Sequence, residues 1–260
     1  MQISILSIIY MTISVIISFG LPIALFIFFY KRHKAKIIPF IVGMASFFIF
    51  SSILEGLVHS IVLGKFALRE KPIIFIIYGA LMAGVFEETG RFISLKLLKL
   101  KYNGIETGLA YGIGHGGIEA ILLAGIVTIG TMIFSINANM GNYNTAENFE
   151  QINAQITVIA SMPSYRFLII GMERVFAICI HIALSIIVFY SVFVKNKIYL
   201  YFFAILLHTI IDVPAMLFQV GFIKSIMLME IFTLVGAVIL LIIAKYVHEK
   251  LKDNIINRYE

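Results

Sequence analysis

The sequence holds one cysteine, no tryptophan, five prolines, and charged side chains at only 13% of its 260 positions. The lone Cys179 sits in an apolar run, which excludes a disulfide framework and a cysteine-based zinc site. Soluble domains average about 25% charged and about 45–50% apolar residues. Here 61% of residues are hydrophobic and the mean hydropathy is +1.02, which excludes an ordinary soluble globule. The 23 phenylalanines among long Ile, Leu and Val runs exclude disorder. Two further absences matter: the connection 137–163 has no Lys or Arg, and no His-Glu-x-x-His pair occurs.

What is present is a series of apolar windows. A helix needs about 20 apolar residues to cross the hydrocarbon. Seven candidates follow, at 3–30, 37–63, 72–98, 105–136, 164–194, 198–219 and 223–246. The first has no basic n-region and no small-residue cleavage site, so it reads as a retained helix and not a removed signal. The expected fold is therefore all-α: a polytopic, multi-pass bundle in the cell membrane. No repeat or composition shift divides the chain, so 1–260 is expected to form a single domain with its chemistry at about 72–219.

The net charge of +6 sits where it orients the chain. Lys31, Arg32, Lys34 and Lys36 follow the first span, and Lys96, Lys99 and Lys101 follow the third. Lys195 and Lys197 follow the fifth, and Lys245, Lys250, Lys252 and Arg258 lie at the C-terminal end. Lys65–Lys71 is the contrary segment. The positive-inside rule then puts the N-terminus outside and the C-terminus in the cytoplasm. The expected partner of this charge is the lipid bilayer, and no nucleic acid is expected. The Asn- and Gln-rich stretch 137–163 reads as a polar linker, with a substrate cap as the alternative.

Ionisable groups inside a bilayer cost at least about 2.5–3.5 kcal/mol each, so each one requires a reason. This chain carries Glu55 and His59; Glu87, Glu88 and Arg91; His115 and Glu119; Glu173, Arg174 and His181; and His208 and Asp212. At the helical rise, Glu87, Glu88, His115 and His208 each lie roughly 15 Å from the cytoplasmic end of their spans, and His181 roughly 18 Å. Glu55 and Glu173 fall nearer the outer side and suggest a separate polar patch. His115 and Glu119 share a helix face, as do His208 and Asp212, because each pair is four apart. Arg91 can reach either glutamate. One carboxylate is then tied to Arg91, and the other is left for general-base work. Gly104, Gly108, Gly112 and Gly116, then Ala120, form a small-residue stripe that lets a neighbouring helix approach closely.

The set Glu87-Glu88-Thr89-Gly90-Arg91, His115 with Glu119, and His208-x-x-x-Asp212 resembles the YhfC family of bacterial intramembrane proteases. That family is related to the wider CAAX-protease and bacteriocin-processing group. The resemblance covers roughly residues 72–215. It implies peptide-bond hydrolysis in a membrane-associated peptide or protein, without a nucleophilic side chain. Glu87 or Glu88 with His115 would activate a water, and His208 with Asp212 would stabilise the oxyanion. Arg91, Glu119 and His181 would support them. Two departures are visible. Arg91 stands one position closer to the glutamates than in the broad group. Asp212 replaces a common Asn, and an ionised carboxylate would repel an oxyanion, so it either carries a proton or orients His208.

The lack of a zinc motif favours a glutamic-type hydrolase with no cofactor. The alternative is a zinc site made by Glu87, His115 and His208, with an open position for water. Two other classes fit buried acids and imidazoles: a proton-coupled transporter, and a non-catalytic binding or immunity protein that retains the fold.

Overall fold

The computed structural model describes residues 2–143 and 149–253; Arg258, one of the C-terminal basic residues, lies outside the described residues. All regular structure among the described residues is helical. Seven segments are long and apolar enough to cross a membrane: Ile5–His33, Ile37–Lys65, Pro72–Leu98, Ile105–Asn139, Tyr165–Phe193, Tyr199–Gln219 and Ile226–Leu251. They match the seven windows read from hydropathy, and the chain is a multi-pass membrane protein.

Among the described residues, ten α-helices make up these segments and their connections. They are α1 (Ile5–His33), α2 (Ile37–Phe47), α3 (Gly56–Lys65), α4 (Pro72–Leu98), α5 (Ile105–Glu119), α6 (Ile126–Asn139), α7 (Phe149–Ser161), α8 (Tyr165–Phe193), α9 (Tyr199–Gln219) and α10 (Ile226–Leu251). Two wider π-helical stretches interrupt the second and fourth spans, Phe48–Glu55 and Ala120–Gly125. Such π insertions frequently occur at functional sites. Part of the expected polar linker is in fact helical: α7 carries Phe149, Ile152 and Ile156 at helical spacing, with Ile156 buried. Its thirteen residues are too few to register as a span, so only the polar face was conspicuous.

The chain divides into two compact units, Met1–Leu21 with Glu119–Val175, and Pro22–Ile118 with Phe176–Glu260. In the first, Asn139 clamps the start of the chain by accepting from the Ile3 amide and donating to the Ile3 carbonyl, each at 2.8 Å. Ser7 and Ser164 share a hydrogen bond of 2.9 Å.

The second unit is built on close approaches. Lipid tails are as apolar as leucine, so helices in a membrane associate through packing and hydrogen bonds, and small residues let backbones meet. α5 shows this on two faces. A Cβ on Gly112 would lie 2.7 Å from Ile182 Cα of α8, and one on Gly116 would lie 3.1 Å from Ile178 Cα. Towards α2, a Cβ on Gly114 would lie 2.0 Å from the Phe40 carbonyl oxygen, and one on Gly43 would lie 2.2 Å from the Tyr111 carbonyl oxygen. Gly84 of α4 meets α9 in the same way, 2.9 Å from the Ile205 carbonyl oxygen. Below these crossings a core forms from Leu95 and Leu98 of α4, Tyr111, the Ile180–Val194 stretch, and Ala237, Leu240 and Ala244 of α10. The helices carrying the polar side chains are thereby held at backbone contact.

Candidate metal centre

Glu87 and Glu88 of α4, Arg91 one turn on, His115 of α5, His181 of α8 and His208 of α9 are all buried. Ligand atoms of Glu87, His115 and His181 lie within 4.8 Å of one another. His115 Nε2 is 2.9 Å from Glu87 Oε2. His181 Nδ1 and His208 Nε2 each stand 3.9 Å from that same oxygen. The His115 and His181 rings are 4.7 Å apart between centroids, and the His181 and His208 rings 5.6 Å. Three imidazoles on three helices thus surround one carboxylate oxygen.

The second glutamate is engaged differently. Glu88 Oε2 forms an ion pair of 3.1 Å with Arg91 Nε, both side chains fully enclosed. Its other oxygen accepts from His208 Nδ1 at 2.8 Å, because a carboxylate paired with a guanidinium can only accept. His208 Nδ1 therefore carries a proton, and Nε2 is turned towards Glu87 and towards Asp212 Oδ2, 3.6 Å away. Arg91 spreads its remaining donors over the His181 carbonyl and Ser185 Oγ, both at 2.7 Å, and His181 Nδ1 at 3.1 Å. Spacing left open which glutamate pairs with Arg91; it is Glu88.

The donor set suits a metal ion. It offers two imidazoles and a carboxylate, a combination zinc accepts in hydrolytic sites. Charge points the same way: of the two adjacent buried carboxylates, Glu88 is matched by Arg91, and Glu87 is ringed by three imidazoles and the Ser51 hydroxyl. His208, at the edge of this set, is fixed by the Glu88 carboxylate on its far nitrogen. At His181 a cation would take the lone pair that now accepts from Arg91, and Arg91 would keep Glu88, Ser185 and the His181 carbonyl.

Residues 17–233 match the family described as YhfC intramembrane metalloprotease. The chain belongs to that family. It is also 34% identical over 233 residues to the uncharacterized membrane protein YhfC of Bacillus subtilis (strain 168), covering 86% of this chain and 90% of the relative. No solved structure matches. YhfC membership makes the chain a member of an intramembrane protease family, whose substrates are peptides or proteins. It also corrects one expectation. A site working with no cofactor does not agree with a metalloprotease family or with a Glu87–His115–His181 set able to hold a metal. The sequence offered no contiguous zinc motif because the donors come from three separate spans.

The remaining sequence candidates fall as follows. The tight trio contains His181 where the sequence reading placed His208, which stands at its edge. Asp212 lies beside His208 with its side chain 31% exposed. Glu119 pairs with Arg174 at 2.9 Å in the smaller unit, and Arg174 also pairs with Glu173. Glu55 does not form a separate outer patch. Ser51 Oγ lies 3.2 Å from Glu55 Oε2 and 3.3 Å from Glu87 Oε1, so Glu55 joins the centre through one hydroxyl. Both residues sit on the π-helical stretch, whose wider turn defeats depth arithmetic based on α-helical rise. Ser51 and Ser185 gave no sequence signal, since serine is unexceptional in a membrane helix.

Proposed function

We propose that this YhfC member is a zinc-class metal-dependent intramembrane peptidase, with Glu87, His115 and His181 as metal ligands. The observation that supports this reading most directly is the convergence of those three buried side chains within 4.8 Å. When bound, the metal would supply positive charge that polarises the scissile carbonyl and lowers the pKa of an attacking water.

The protein's own groups manage the protons. His208, held by Glu88 on Nδ1, accepts the water proton at Nε2 as hydroxide adds to the carbonyl carbon. The resulting imidazolium is balanced by Glu88 at 2.8 Å and Asp212 at 3.6 Å. The C–N bond then breaks and His208 returns the proton to the leaving nitrogen. Asp212 orients His208, which suits an ionised carboxylate better than contact with an oxyanion. Arg91 is a positioning residue that keeps Glu88 anionic and acceptor-only.

The test is elemental analysis of purified protein combined with cleavage of a membrane-peptide library. Chelation is expected to abolish cleavage and zinc to restore it. Glu87→Ala, His115→Ala and His181→Ala lose both metal and cleavage. His208→Ala keeps the metal and loses about 10²–10⁴-fold in rate. Full-rate cleavage by the stripped protein defeats the metal reading, and no cleavage of any peptide by the zinc-loaded protein defeats the peptidase reading.

A further inference from the structure

Within the larger unit, a cleft of about 350 Å³ lies between α3, α4 and α9, beside the metal centre but not part of it. Its lining is mixed: Glu55, His59, Arg69, Tyr78, Asp212 and Gln219 bring polar groups, and Leu63, Phe75, Ala80, Ala83 and Met216 bring apolar ones. The polar set is partly wired together. His59 lies 2.8 Å from the Tyr78 hydroxyl through Nδ1 and 3.1 Å from Glu55 Oε1 through Nε2. It also runs into the centre at two points: Glu55 reaches Glu87 through Ser51, and Asp212 lies 3.6 Å from His208 Nε2.

A peptide bond inside a membrane helix is shielded by its own turn, so it must be unwound before a nucleophile can reach it. Unwinding frees backbone N–H and C=O groups, each costing several kcal/mol in hydrocarbon unless a partner is supplied. A purely apolar groove would suit a lipid tail or an intact helix. A groove that offers acceptors and donors together with apolar side chains suits an extended backbone flanked by apolar residues. The volume is at the small end of ligand pockets, and alanines at 80, 83 and 215 leave the room.

Resting on the hydrolytic reading above, we propose that this cleft is the substrate subsite for an unwound, apolar stretch of polypeptide. Its amides would meet polar groups such as Glu55 and Asp212, and its side chains would lie against Leu63, Phe75 and Met216. Gly79 sets one edge: a Cβ there would lie 2.4 Å from Met216 Cε and displace that side chain into the cleft or away from it.

Binding is measured on metal-stripped, detergent-solubilised protein, so that no cleavage intervenes. The probes are two fluorescein-labelled Leu/Ala membrane peptides, one continuous and one with a central Asn-Gly-Pro break. The broken peptide is expected to bind at least about tenfold more tightly, and Ala83→Phe to weaken it by at least about tenfold. Equal binding of the two peptides, or an Ala83→Phe protein that remains monodisperse and binds the broken peptide undiminished, overturns the proposal. Should Ala83→Phe fail to fold, Ala215→Cys in a Cys179→Ser background replaces it. The broken peptide then slows maleimide labelling and the continuous one does not; equal labelling with both overturns the subsite. A broken peptide that binds, is blocked by Ala83→Phe, and yet stays uncut by zinc-loaded protein defeats the hydrolysis and leaves the subsite. Cleavage with undiminished kcat/KM in Ala83→Phe does the reverse.

Discussion

Glu87 and Glu88 are neighbours in sequence and do opposite things, because one step along a helix turns a side chain by about 100°. Glu88 turns to Arg91 and the far nitrogen of His208; Glu87 turns to the three imidazoles. The Glu88–Arg91 pair is fully enclosed, and removing one member of such a pair costs about 3–5 kcal/mol because the other is left uncompensated. Arg91→Leu should therefore lower the melting temperature in detergent sharply, and adding Glu88→Gln should recover part of the loss. A double variant no more stable than the single would mean that the pair is not the source. At this scale much was legible. Acids and imidazoles in apolar spans advertise themselves, and Glu87, His115 and His208 stood out at a common depth. His181 read as a supporting residue, although its depth, roughly 18 Å up its span, lies close to theirs. Its closeness to His115 comes from glycines opposite it on α5, which no side-chain pattern on α8 records.

The helices themselves were readable because hydropathy is a sum over about 20 residues and tolerates local irregularity. The same averaging hid the π-helical stretches at Phe48–Glu55 and Ala120–Gly125, and α7. The glycine crossings give a graded test. Gly43→Ala puts a methyl 2.2 Å from a backbone carbonyl oxygen that cannot rotate away, so a loss of about 3 kcal/mol is expected. Gly56→Ala, on the same span with nothing within 4 Å, should be neutral or stabilise by up to about 1 kcal/mol. Thermal unfolding of both variants in one detergent checks the contrast. Equal losses would mean that α2 and α5 do not meet at Gly43.

For the molecule as a whole, ligand linkage gives a measurement independent of turnover. A metal that binds the folded state stabilises it by about 2.7 kcal/mol at a hundredfold excess over its Kd. Zinc should therefore raise the melting temperature, a chelator should reverse the rise, and His115→Ala should show neither change. An unchanged melting temperature in the parent protein would weigh against a metal within the Glu87–His115–His181 set. The distribution of Lys and Arg supports a cytoplasmic C-terminus. A green fluorescent reporter fused after Glu260 should glow, and a phosphatase reporter at the same place should be silent; the opposite pattern inverts the topology.

At Gly112 and Gly114, α5 meets α8 and α2 through peptide groups, with hydrogen atoms where side chains would be. Nothing remains there to trim, so a substitution along those contacts can only push outward. The gap between the His115 and His181 rings accordingly has a floor and no ceiling. Change along these contacts can loosen the centre but cannot tighten it, and a laboratory effort to draw the donors closer would have to begin elsewhere, on α4 or α9.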